Sequence, residues 1–124
     1  MTNRVRHVSV IDDDESLREA LPDLLRSFGL SVDAFASAQA FLDSRALETS
    51  DGIVLDVAMP GMTGPELQQE LGRRARLIPI IFITALRDEK VRTRLIRNGA
   101  VECLYKPFGD EELEGALRLA SLII

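Results

Sequence analysis

Five strand-sized apolar runs, each followed by residues at helical spacing, constrain this 124-residue chain more than any other feature. The runs are His7-Val8-Ser9-Val10-Ile11, Ser31-Val32-Asp33-Ala34-Phe35, Ile53-Val54-Leu55-Asp56, Pro79 to Thr84, and Val101-Glu102-Cys103-Leu104-Tyr105. After the first, Leu17, Leu21, Leu24, Leu25 and Phe28 share one helical face and Gly29 ends it. Pro22 inside that helix is expected to remove a hydrogen bond and kink it. Ser37 suits the N-cap of a second helix carrying Ala40, Phe41, Leu42 and Leu47. Pro65, behind Thr63 or Gly64, opens a third with Leu67 and Leu71 buried. Asp88 or a neighbour starts a fourth, closed by Asn98-Gly99, and Asp110, Glu111 and Glu112 cap a fifth whose Leu113, Ala116, Leu117 and Ala120 face inward. Strands alternating with helices predict an α/β fold, a doubly wound five-stranded parallel sheet with right-handed crossovers and helices on both faces.

The length allows one domain with a single core. Apolar residues at 46% and charged ones at 28% fit a globular chain rather than a disordered one. No run is long enough to span a membrane and no export signal is legible, which makes the cytoplasm the expected location. One cysteine, Cys103, and one histidine, His7, fall short of a zinc set, and no Ser-His or Cys-His nucleophile pair is expected. A net charge of −5 argues against nucleic-acid binding by this chain alone.

In open sheets of this kind ligands bind outside the carboxyl ends of the strands. Polar residues there are Asp12 and Asp13 after the first strand, Asp56 after the third, Thr84 after the fourth and Lys106 after the fifth. Two carboxylates about 5 Å apart repel by roughly 3 kcal/mol at an effective dielectric near 20, so a purely structural rim would avoid the cluster. Oxygen ligands without His or Cys suit Mg²⁺ or Mn²⁺, which retains water and takes phosphate oxygens. With Lys106 as a point charge and Thr84 as a hydroxyl donor, the set fits a phosphoryl group, with Asp56 as nucleophile. Singly, each residue has a plainer role: Asp12 and Asp13 as helix caps, Thr84 as a strand residue, Lys106 as a solvated charge, Asp56 as a turn former. Only their common edge favours the chemical reading.

Val-Ile-Asp-Asp-Asp at 10–14, Asp-Val-Ala-Met-Pro-Gly-Met-Thr-Gly at 56–64, Phe-Ile-Thr-Ala at 82–85 and Lys-Pro-Phe at 106–108 resemble, in order and spacing, the receiver domains of two-component response regulators. The wording is most similar to the FixJ-like branch, whose members usually carry a helix-turn-helix output domain. The resemblance spans essentially residues 1–124 and implies a flavodoxin/CheY-like sheet of order 2-1-3-4-5. It implies that Asp56 accepts a phosphoryl group from a sensor histidine kinase, that Asp13 ligates Mg²⁺ directly and Asp12 mainly through water, and that the Ala58 carbonyl is a backbone ligand. Lys106 and Thr84 would contact phosphoryl oxygens, the Lys106-Pro107 peptide would be cis, and Asp14 would be a helix cap. Such a protein is a switch rather than an enzyme, with at most self-phosphorylation from small donors and slow autodephosphorylation. An output domain, expected to act in transcriptional control and to be the only route to DNA, would lie outside this chain.

One position departs from the family. An aromatic residue is expected three places before the lysine, where this chain has Cys103, and Tyr105, of the same strand parity, or repacking of the fourth helix would carry the signal instead. Lys90, Arg94 and Arg97 on the fourth helix and Asp110, Glu111 and Glu114 on the fifth read as solvated faces, or as complementary halves of a homodimer formed through helix four, strand five and helix five on phosphorylation. Two other functions compete with the switch. Asp12-x-Asp14-x-Ser16 loosely matches haloacid-dehalogenase-type phosphatases, and a docking module could keep the fold without phosphorylation.

Overall fold

The computed structural model describes residues 4–124. Its elements are β1 (His7–Ile11), α1 (Glu15–Ser27), β2 (Ser31–Phe35), α2 (Ala38–Leu42), α3 (Ala46–Thr49), β3 (Gly52–Asp56), α4 (Gly64–Arg73), β4 (Ile80–Thr84), α5 (Glu89–Arg97), β5 (Glu102–Tyr105) and α6 (Asp110–Leu119). The five strands form one parallel sheet in the order β2-β1-β3-β4-β5, as expected.

Side chains alternate between the two faces of the sheet. Val8, Val10, Val54, Ile81, Ile83 and Leu104 pack with Leu21 and Leu25 of α1 and Leu113, Ala116 and Leu117 of α6. Ile11, Ile53, Leu55, Phe82 and Cys103 pack on the other face with Phe41 of α2, Leu67 and Leu71 of α4 and Leu95 of α5. β3 and β4 are buried along their whole length, which explains why both read as unbroken apolar runs.

Two local expectations are corrected. The second helix is two short ones, because the Ser44 hydroxyl donates to the Phe41 carbonyl and accepts from the Ala46 N–H, giving the backbone an alternative to helix. In the first of them Ala38, Phe41 and Leu42 form the buried face and Ala40 is exposed. The last helix is capped by Gly109, whose N–H donates to the Glu112 carboxylate at 3.1 Å, so Asp110 is its first residue rather than its cap. Pro22 sits buried inside α1, where it was expected, and the helix continues past it. The Lys106-Pro107 peptide is cis.

Candidate functional site

Parallel pairing brings the strands' carboxyl ends to one rim, and those of β1, β3, β4 and β5 carry the expected polar residues. Asp56 is the last residue of β3 and Thr84 the last of β4; Asp12 and Asp13 directly follow β1, and Lys106 follows β5. One carboxylate oxygen from each of Asp12, Asp13 and Asp56 lies within 4.8 Å of the other two. Asp12 is fully buried, Asp56 is 6% and Thr84 5% exposed, and Asp13 faces solvent. The five are therefore one constellation, walled on the protein side and open at Asp13.

Hydrogen bonds fix the acidic loop after β1. Asp12 Oδ1 accepts from the Asp14 N–H at 2.9 Å, and Asp12 Oδ2 from Lys106 Nζ at 2.8 Å. Asp14 caps α1 by accepting from the Ser16 N–H, as expected, which leaves its carboxylate out of the acidic triad. Lys106 Nζ also lies 3.6 Å from Asp56 Oδ1, near enough to serve either carboxylate. Thr84 Oγ1 accepts from the Leu86 N–H at 3.1 Å, which turns the hydroxyl toward the loop after β4.

Burial pushes the Asp56 carboxyl up to about 6, the neighbouring Asp12 charge adds to this, and Lys106 opposes it. Burial alone would lower the Lys106 ammonium, yet its hydrogen bond to Asp12 and the charges of Asp56 and Asp12 outweigh that and raise it. Three carboxylates facing one ammonium leave a formal charge of −2 in a partly buried rim. Hard oxygen donors with that residual charge fit a divalent cation such as Mg²⁺ or Mn²⁺, and no His or Cys is present to select a softer metal. Ala58 lies exposed on the loop after β3, where its backbone N–H slightly opposes the rise of the Asp56 carboxyl.

Two supports of the site lay outside the sequence reading. Arg18 of α1 reaches back to donate to the Asp12 carbonyl at 3.0 Å, clamping the acidic loop from below. Gly64 opens α4 against the end of β3: a Cβ there would stand 2.4 Å from the Asp56 carbonyl oxygen and 2.9 Å from Phe82. Only a glycine lets the helix start so close to the acidic strand end, and the Gly64 N–H bonds the Val57 carbonyl across that contact. Its position inside the Met-Thr-Gly loop was visible; the contact it permits was not.

The expectation that His7 pairs with no nucleophile is overturned in geometry. His7 lies 2.6 Å from Ser31 Oγ through Nδ1 and 3.0 Å from Asp33 Oδ2 through Nε2, because His7 and Ser31 are register partners in β1 and β2. Ser31 and Asp33 are exposed on an edge strand at the amino end of the sheet, where the three tie β1 to β2.

Beside the rim, Leu17, Ala20 and Leu24 of α1 and Pro107 and Phe108 line an apolar groove of about 430 Å³, with Asp14 and Lys106 at its margin. A larger cavity, about 920 Å³, lies at the opposite end of the sheet among Arg4, Phe28, Leu30, Arg118 and Leu122, away from all five rim residues.

Comparison with known proteins places this arrangement among relatives. Residues 8–118 match the model of the response regulator receiver domain. The response regulator protein TodT of Pseudomonas putida is 42% identical over 97% of this chain and 53% of its own length. Nodulation protein W of Bradyrhizobium diazoefficiens is 45% identical over 92% of this chain and 50% of its own. The solved structure of FixJ-N superposes with a TM-score of 0.84 at 33% identity, covering 96% of this chain and 95% of that one. The response regulator StyR gives 0.85 at 44% identity, over 94% of this chain and 59% of the other. The chain spans about half the length of the curated relatives it matches.

Proposed function

Because the chain belongs to the response regulator receiver domain family, we propose that it is a phosphoacceptor switch in which Asp56 takes a phosphoryl group from a phosphohistidine of a sensor kinase. The observation that carries this is the convergence of Asp12, Asp13 and Asp56 with Lys106 on one rim, at distances that leave a charge for a divalent cation to neutralise.

In the transfer an Asp56 carboxylate oxygen attacks phosphorus, an O–P bond forms as the N–P bond breaks, and the imidazole nitrogen leaves with the electron pair and regains a proton from solvent. Asp13, Asp56 and the Ala58 carbonyl are the ligands we assign to Mg²⁺ or Mn²⁺, with Asp12 acting through water. Bound there, the cation supplies charge neutralisation for the phosphoryl oxygens. Lys106 moves its ammonium from Asp12 toward a phosphoryl oxygen, Thr84 donates its hydroxyl to another, and the burial of Asp56 keeps bulk water away from the acyl phosphate. Hydrolysis by the chain itself is slow, and no dedicated base lies among the five rim residues to speed it.

A donor histidine must come within bonding distance of Asp56, so its protein has to cover the surface beside the rim. The groove of Leu17, Ala20, Leu24, Pro107 and Phe108 is the apolar part of that surface, and we assign it to a helix of the kinase. On phosphorylation the face made by α5, β5 and α6 changes, and it controls dimerisation or an output domain acting in transcription. Among the described residues no helix is long and apolar enough to cross a membrane, which is consistent with work in the cytoplasm.

Incubation with Mg²⁺ and acetyl phosphate followed by intact-mass measurement tests the reading. One phosphoryl group is expected on the wild type and none on Asp56→Asn. Label on the Asn variant would favour a phosphatase-like site at Asp12 and Asp14, and label on neither a phosphorylation-independent docking module. Mg²⁺ is also expected to raise the melting temperature, and Asp13→Ala to remove most of that rise while leaving the metal-free protein slightly more stable. A metal-free Asp13→Ala protein that melts below wild type would contradict the crowding of charge at the rim.

A further inference from the structure

Thr84 and Tyr105 are register partners on adjacent strands, so the hydroxyl at the rim and the chain's single tyrosine stand side by side. Tyr105 Oη donates to Glu89 Oε1 at 2.7 Å, and the Arg87 guanidinium lies 5.2 Å from the centre of its ring. Arg87 and Glu89 belong to the loop after β4 and the first residue of α5, the same short segment whose Leu86 N–H binds Thr84 Oγ1. One stretch of five residues thus holds the rim hydroxyl at one end and the tyrosine at the other.

Ahead of Asp88, whose carboxylate caps α5, that stretch has little to hold it elsewhere. Ala85, Leu86 and Arg87 are exposed, Leu86 by 69%, so few packed contacts resist its movement. Position 103 is the reverse. Cys103 is 3% exposed in the core, its carbonyl accepts from Arg92 Nε at 3.2 Å and its N–H donates to the Glu102 carboxylate at 2.9 Å. The thiol is small and its backbone is clamped, so a displacement at Thr84 passes to Tyr105 through the loop rather than to Cys103.

We propose that the Tyr105–Glu89 hydrogen bond is a latch that a phosphoryl group on Asp56 opens, making Tyr105 the residue through which this chain reports its modification to the face formed by α5, β5 and α6. The inference rests on the phosphoacceptor reading above. Turning the Thr84 hydroxyl toward a phosphoryl oxygen takes it from the Leu86 N–H; the freed loop shifts, Arg87 leaves the ring and Glu89 leaves the phenol. The latch belongs to the unmodified state only, so by reciprocity whatever removes it strengthens binding at the rim. The hydrogen bond to Glu89 also pushes the phenol up to about 12, which makes release of the latch visible in the tyrosine itself.

The chain has no tryptophan, so Tyr105 emission reports without interference. A carboxylate hydrogen-bonded to a phenol quenches its emission, and beryllofluoride with Mg²⁺ serves as the phosphoryl mimic. Wild-type emission is expected to rise on adding the mimic, Asp56→Asn to show no change, and Glu89→Ala to start high and stay there. Glu89→Ala and Tyr105→Phe, the second followed by calorimetry, are expected to bind the mimic about threefold to tenfold more tightly, the effect of one lost hydrogen bond confined to the resting state. Intact mass after acetyl phosphate treatment is recorded on the same preparations. A wild type that takes the label but shows flat emission, or variants that bind the mimic no more tightly, would overturn the latch while leaving the acceptor role of Asp56 intact. A wild type that takes no label would end both.

Discussion

Asp56 carries a conflict that its side chain alone can report. Its carboxyl is raised from an ordinary carboxylate value to about 6, by burial first and by Asp12 second. Between about pH 4 and about pH 6 the folded protein therefore holds a proton that the unfolded chain has released, and stability from this group falls as pH rises through that window. Above it the charged side chain is a standing penalty of about 1 to 3 kcal/mol. Asn at position 56 cannot ionise, so in chelator the Asp56→Asn protein is expected to match wild type near pH 4 and exceed it by that amount near pH 7. Urea denaturation of both proteins across the range checks this, and a constant difference at every pH would exclude charge as the cause. Cys103 shows burial acting on another group: its thiol is pushed up to about 11, first by desolvation, and is poorly suited to any nucleophilic role.

At the scale of elements, the decisive contact is between the start of α4 and the end of β3. Gly64 against the Asp56 carbonyl leaves no room for a methyl group, and two of the three nearest atoms are backbone and cannot swing aside. Gly64→Ala is expected to cost about 1 to 3 kcal/mol and to weaken Mg²⁺-dependent stabilisation as well, since relief of the clash displaces the acidic strand end. Thermal melts with and without Mg²⁺ separate the two effects; Gly72→Ala in the same helix, where a Cβ meets nothing, is the control. Sequence patterning reached the elements well where burial was complete, as in β3 and β4, and where a single strong cap acted, as with Ser37. It failed where short-range hydrogen bonding competes with periodicity, as at Ser44. The rim residues were legible because each closes an apolar run and becomes polar at the same edge. Arg18 and Glu89 were not, because their partners lie across the fold from ordinary helix positions and neither spacing nor residue type marks the reach.

For the molecule as a whole, charge is segregated on one side. Lys90, Arg94 and Arg97 are exposed on α5, while Asp110 and Glu111 are exposed at the start of α6, where Glu114 pairs with Arg118 at 3.0 Å. Two copies related by a twofold axis can set each basic helix against the other's acidic one. Sedimentation is expected to show a shift toward dimer with beryllofluoride, reduced by Arg94→Glu and by added salt; a monomer under all conditions would remove the arrangement. The edge of β5 is a poor alternative route to association, because Glu102 and Arg92 already occupy the backbone N–H and carbonyl of Cys103.

The ion pair between Lys106 and Asp12 has a consequence for the resting protein. Its ammonium neutralises part of the rim by itself, and under the proposed function it would stand in for a departed cation. A cation proposed for this site would meet a partly neutralised rim rather than a bare acidic hole.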